Sequence, residues 1–165
     1  MTSPIFTGRY TTENTKNIVV FIIGMRINKP LALHKWVPVF SAMPGMIKEL
    51  YSNKDTLGFL SMESYFGLRT TAMIQYWRSV EDLLAYARSE KHMKAWENFN
   101  KKIGNNEAVG IYHETYQLKS GEYESIYGNM PLYGLGKALT HIPITSEQNS
   151  ARKRLGSKGK NKLKP

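Results

Sequence analysis

The stretch Asn17–Asn28, NIVVFIIGMRIN, constrains the fold more than any other part of the chain. It is rich in β-branched residues, too short for a typical buried helix, and closed by Pro30, so it reads as a central β-strand. Val19, Phe21, Ile23 and Met25 alternate with Ile18, Val20 and Ile22, which puts apolar groups on both faces. One layer of helices can cover only one of them. The second face predicts a homodimer packed sheet to sheet. The apolar run Ile18–Ile23 is about a third of a membrane span, so no membrane partner is expected.

The remaining segments supply the other elements. Trp36, Val39, Phe40 and Met43 fall at i, i+3, i+4 and i+7, and Met46, Ile47 and Leu50 extend the pattern. Pro38 and Pro44 each remove an amide donor, which predicts a broken or kinked helix. Leu57–Gly67 and Thr70–Trp77 read as strands joined at Gly67. Ser79 followed by Asp82 is a weak capping box opening a helix over Val80–Ala87. A second start at Ser89 carries Trp96, Phe99 and Ile103 on one stripe, with Gly104 as its stop. Ala108–Leu118 is the last strand. The order is α+β, β-α-β-β-α-β with a broken second helix, which is the ferredoxin-like pattern. Residues 1–15 read as an irregular arm. Residues 16–142 read as the domain, whose aromatic and Gly-rich C-terminal segment wraps back.

The net charge of +10 could point to nucleic acid, but it is concentrated at one end. Arg152, Lys153, Arg154, Lys158, Lys160, Lys162 and Lys164 stand in a segment with no acid; without them 16 basic residues face 13 acidic ones. Residues 143–165 are therefore expected to be a basic, disordered tail that solubilises the chain or meets an anionic partner, and nucleic acid is expected only weakly, through this tail. There is no cysteine, which excludes disulfides, thiolate metal sites and cysteine nucleophiles and fits a reducing compartment. No signal peptide is evident at the N-terminus, so a cytoplasmic location is expected. No His-Glu-x-x-His, no carboxylate loop and no phosphate-binding glycine loop is present, so no metal site is expected.

Within VGIYHETY, Val109, Ile111, His113 and Thr115 share one face of the strand; Gly110, Tyr112, Glu114 and Tyr116 share the other. Ile18, Val20, Ile22, Gly24 and Arg26 share a face of the first strand, and Thr71, Met73, Gln75 and Trp77 a face of the third. If Arg26, Gln75 and His113 point the same way, a polar cluster lies under the helices. Gly24 either leaves room for a ligand or marks a bulge.

Several motifs occur together: VVFIIGMRIN, HKW-P, MPGMIKEL, QYWRS, HETY, YESIYGNMP and GLGKA. Over residues 5–140 the chain resembles the proteins grouped with a fungal monooxygenase of fumagillin biosynthesis, long a domain of unknown function, within the dimeric α+β barrel superfamily. The resemblance implies a pocket between sheet and helices, and relatives that work either without a cofactor or with haem. It implies an oxidoreductase of the monooxygenase type acting on a small apolar or aromatic molecule, with His113 as general base. Arg26, Gln75 or Tyr112 would stabilise an oxyanion, with Glu114 in the same cluster. Arg26 has the alternative of pairing with Glu114 or Glu122. Trp36, Trp77, Trp96 and Phe40 are either core or pocket wall. The competing reading is a haem protein with His113, or His92, as ligand. In haem-degrading relatives the ligand histidine sits on the second helix, at a position that Trp96 occupies here. His34 and His141 flank loops and rank lower. A third reading is a non-catalytic dimeric binding module with an anion-binding tail.

Overall fold

A computed structural model describes residues 3–103, 105 and 107–155. The element order is β1 (Phe6–Thr12), β2 (Ile18–Ile27), α1 (Leu33–Ser52), α2 (Lys54–Leu57), β3 (Phe59–Phe66), β4 (Thr70–Trp77), α3 (Val80–Ala87), α4 (Glu90–Ile103), β5 (Val109–Leu118), β6 (Tyr127–Met130), α5 (Leu135–Ala138), β7 (His141–Pro143) and α6 (Ala151–Arg154). The chain divides into two compact units. One is Val19–Tyr116; the other joins Met1–Ile18 to Gln117–Pro165.

The Val19–Tyr116 unit is built on a four-stranded sheet in the order β3-β4-β2-β5. That order, with helices after β2 and β4, is the ferredoxin-like arrangement expected from the sequence. Register runs from Val19 opposite Trp77 to Arg26 opposite Thr70, and β3 pairs antiparallel on the other side of β4. Val19 packs with Leu50, Phe59, Met62, Met73, Trp77, Leu83 and Tyr86, with Phe21 and Ile23 against the same cluster. Met25, Ala108 and Val109 form a second cluster with Trp36, Val39 and Phe99. The odd-numbered residues of β2 therefore face the helices, and Val20, Ile22, Gly24 and Arg26 face away.

α1 is one continuous helix, so of the broken or kinked helix that its prolines predict the break is not present. Each proline deletes a single i→i−4 bond. The stripe Trp36, Val39, Met43, Ile47 and Leu50 spans both apolar clusters, and this burial outweighs the two lost bonds. Phe40 falls off that stripe and is exposed. α3 opens as expected, with Ser79 Oγ accepting from Asp82 N at 3.1 Å, and the expected second start follows at Ser89, whose Oγ accepts from His92 N at 3.4 Å. Asp82 also accepts from Arg78 Nε at 2.8 Å, and Gly58, at φ +69°, closes against the Asp82 side chain, where a methyl would overlap it. The expected stop at Gly104 lies outside the described residues.

The second unit holds a three-stranded sheet in the order β6-β1-β7, absent from the sequence reading. Residues 6–12, read as an irregular arm, are its central strand. Its polar composition hid it: Thr11 and Thr12 are buried, with hydroxyls satisfied by Ser125 O at 2.7 Å and Ser125 Oγ at 2.8 Å. The disorder expected from residue 143 onward is likewise corrected as far as residue 155. A 3₁₀ turn at Ser146–Gln148 leads to α6, capped by Ser150. Arg154 is nearly buried, gives Nε to Glu124 at 2.7 Å and Nη1 to Gln148 O at 3.0 Å, and its carbonyl accepts from Asn14 Nδ2 at 2.5 Å. Charge pairing rather than apolar burial holds this segment, so hydrophobic periodicity does not reveal it. Residues 156–165 lie outside the described residues.

Candidate functional site

Register decides which of the candidate residues meet. Phe21 on β2 stands opposite Gln75 on β4, and Gln75 opposite Met62 on β3. On the other flank the His113 ring lies 5.7 Å from the Phe21 ring. Met62, Gln75, Phe21 and His113 thus form one row across the helix-facing side. Gln75 is buried, and its Oε1 accepts from Trp77 Nε1 at 3.0 Å. His113 is exposed at the β5 end of the row.

The expected cluster of Arg26, Gln75 and His113 does not form. Arg26 lies on the same face as Gly24, opposite to Phe21, because side chains alternate along β2. It has no carboxylate partner among the described residues, so the pairing with Glu114 or Glu122 is not made. Tyr112 and Glu114 also lie on the outer face. The Tyr112 ring covers Gly24 so closely that a Cβ there would overlap it, which answers what the glycine makes room for. Tyr116 gives its hydroxyl to Glu114 Oε2 at 2.6 Å, and that bond, with the carboxylate's charge, raises the Tyr116 phenol pKa.

The helix α4 roofs the β2–β5 half of the sheet. At its start the His92 ring is 5.5 Å from Tyr86, in the Trp77 cluster; near its end Phe99 packs with Met25 and Val109. The Phe21–His113 stretch lies between these two anchor points. His92, Trp96 and Phe99 follow helical spacing on one stripe, with Trp96 half-exposed and stacked on Phe99 at 5.5 Å. His92 Nδ1 is buried without a hydrogen-bond partner. Burial, with the Glu49 charge adding to it, pushes the Tyr86 phenol up to about 12, so it stays protonated.

The tryptophans separate. Trp77 is 0 % exposed and belongs to the core, which removes it from any pocket wall. Trp36 is half-buried and donates Nε1 to Pro30 O at 2.9 Å. Phe40 meets Phe66 edge-on at 6.4 Å, away from the row. A depression of about 210 Å³ lined by Gly45, Lys48, Glu49, Ser52 and Asn53 lies on α1 and involves none of the candidate residues. The sequence reading missed Phe21, whose apolar strand gave no sign of a neighbour at His113. It also underrated His141. That ring stacks on Tyr10 at 4.6 Å and meets Phe6 and Tyr127 edge-on at 5.0 and 5.3 Å, with both ring nitrogens buried and unbonded. No group of three or more His, Cys, Asp or Glu side chains able to hold a metal ion occurs among the described residues.

Residues 18–135 match the family described as Monooxygenase af470-like. The chain belongs to that family. It is 28% identical over 135 residues to Monooxygenase af470 of Aspergillus fumigatus, covering 76% of this chain and 48% of that protein. The chain thus spans about half the length of the curated relative it matches. Two aldoxime dehydratase structures, one in complex with butyraldoxime, share the fold at TM-scores of 0.66 and 0.67. Their identities are 17% and 18%, and the likeness covers 84% and 88% of this chain but 41% and 44% of theirs. The family thus has a monooxygenase-like member, and the fold is α+β and ferredoxin-like.

Proposed function

We propose that this chain is an oxidoreductase of the monooxygenase type, acting on a small apolar or aromatic molecule between α4 and the β2–β5 half of the sheet. Family membership over residues 18–135 carries the reading. His113, exposed beside Phe21, supports it at the level of residues. His113 takes a proton from an acidic C–H of the substrate. The carbanion gives two electrons to oxygen, a C–O bond forms, the peroxide takes the proton back from His113, and the hydroperoxide, on a carbon that keeps a second hydrogen, loses water to leave a carbonyl. Of the three expected oxyanion donors, Gln75 is the one on the same sheet face as His113. Its carbonyl is engaged by Trp77, which orients the amide and turns its NH₂ group into the available donor. Trp96 is the proposed apolar wall.

Haem is the second reading, and His113 is the observation that favours it: an exposed imidazole beside an apolar ring. His113 would hold the iron through a ring nitrogen, and the haem would supply oxygen activation. His92 fits less well, since its free nitrogen is sealed in packing. An absorption spectrum of the isolated protein separates the two. A Soret band lost in His113→Ala supports haem. No Soret band, with substrate-dependent oxygen uptake lost in the same variant, supports the cofactor-free reaction.

A homodimer through the outer sheet face is part of the same proposal. That face presents Val20, Ile22 and Ile74 with the exposed Tyr65, Tyr112 and Tyr116. The relatives are about twice as long as this chain, so they have room for two such units where this chain supplies one.

A further inference from the structure

One end of the four-stranded sheet gathers the β2–α1 loop, the first turns of α1 and the β3–β4 turn. Ile27 N donates to Arg69 O at 2.7 Å, and the Arg69 side chain donates back to Ile27 O at 3.0 Å and Asn28 O at 2.5 Å. The Trp36 bond to Pro30 O fixes the loop to α1, and Phe40 reaches Phe66 across the gap. Together these segments expose Leu31, Leu33, Val37, Phe40, Phe66 and Leu68. Leu33, Val37 and Phe40 sit at i, i+4 and i+7, a second apolar stripe on α1 apart from the one facing the core. Leu31 and Leu68, on the two turns, are 96% and 103% exposed. A single exposed leucine needs no explanation, but six large apolar groups exposed at one end of the sheet do.

The charge around this patch has one sign. From Arg26 to Lys48 the sequence contains no Asp or Glu, and none occurs from Phe66 to Gln75. Lys29 is paired with Glu107 at 2.9 Å. Arg26, Lys35 and Arg69 have no carboxylate partner among the described residues. Two features decide between a protein partner and a lipid surface. The most exposed leucines stand on turn tips, where they can enter a soft layer, whereas a protein interface anchors side chains in pockets. The surrounding positive charge, which no carboxylate among the described residues neutralises at Arg26, Lys35 or Arg69, matches anionic headgroups.

We propose that this end of the Val19–Tyr116 unit docks on an anionic membrane surface. Leu31 and Leu68 enter at the level of the acyl boundary, and Arg26, Lys35 and Arg69 meet lipid phosphates. No helix among the described residues is long and apolar enough to cross a membrane, and docking of this kind requires none.

The test is co-sedimentation of the full chain with vesicles of phosphatidylcholine containing roughly one-third phosphatidylserine, against vesicles of phosphatidylcholine alone. Binding is expected to the first, to weaken in about 0.5 M salt, and to fall about tenfold or more in Leu31→Ser/Leu68→Ser. Melting and circular dichroism of that variant are expected to match wild type, since both leucines are already in water. Lys35→Glu, at a partly exposed position near the start of α1, gives an independent arm and is expected to weaken binding without altering the apolar patch. The proposal is overturned if wild type stays in the supernatant. It is overturned equally if the double variant binds unchanged, for then the C-terminal lysines carry the attraction. It is also overturned if the double variant changes oligomeric state and not vesicle binding, for then the patch is an interface between copies.

Discussion

His113 and Gln75 occupy one row, yet their burial gives them opposite behaviour on mutation. His113 is exposed and has no partner that its loss would strand, so His113→Ala is expected to move stability by less than about 1 kcal/mol. The same change is expected to reduce oxygen uptake about a hundredfold or more. Melting and turnover measured on one sample check this, and loss of folding would refute the assignment. Gln75→Leu behaves otherwise. It leaves the indole N–H of Trp77, at 0 % exposure, without its acceptor. A cost of about 1–3 kcal/mol is expected, read by urea denaturation. Gln75→Glu keeps an acceptor for the indole but removes the amide donor. It is therefore expected to recover much of that stability at low pH, where the buried carboxyl is neutral, to lose it as pH rises and the carboxylate is left buried, and to impair turnover once ionised.

At the scale of elements, His141 gives the second unit a pH dependence of its own. Burial alone holds the His141 pKa below its ordinary 6.5. The folded unit therefore disfavours the imidazolium, and the unfolded chain binds more protons between the two pKa values. Stability from this group is full above about pH 6.5 and is lost as pH falls through the folded value. Melting is expected at lower temperature near about pH 5 than near about pH 7.5, and His141→Phe is expected to flatten that difference. Arg154 is the other element-scale test. Arg154→Ala leaves Glu124 without its partner, and a loss of about 1–3 kcal/mol is expected by thermal melting. Deleting residues 149–165 is expected to cost at least as much, while deleting 156–165 leaves the Arg154 bonds in place.

These elements also mark where sequence reading works. Strands β2 to β5 and helices α1, α3 and α4 were legible because each presents an apolar period of its own. β1 and α6 were not: buried threonines and a paired arginine are polar letters, and their satisfaction depends on Ser125, 114 positions from Thr11, and on Glu124, 30 positions from Arg154. The site failed for a related reason. Which face a residue occupies is legible within one strand, but a shared face needs the register between strands. Phe21 opposite Gln75 therefore puts Arg26 on the side away from the two residues it was expected to join.

For the whole molecule, the expectation is a homodimer through the outer sheet face. Light scattering at about ten micromolar is expected to give twice the chain mass, as a stable interface of ordinary size would. Ile74→Lys, at the middle of that face, is expected to yield monomer without unfolding the helix-covered side. A monomeric wild type at that concentration would sink the sheet-face dimer.

The position of β1 between β6 and β7 has a consequence for how the chain is made. Its strand partners begin at Tyr127, whereas Val19–Tyr116 is a continuous stretch that holds its own core. During synthesis that stretch is complete first. At about 5–20 residues per second β1 waits on the order of ten seconds before β6 exists. For that interval Phe6 and Tyr10 are unpaired on an open strand edge, where a neighbouring nascent chain can capture them.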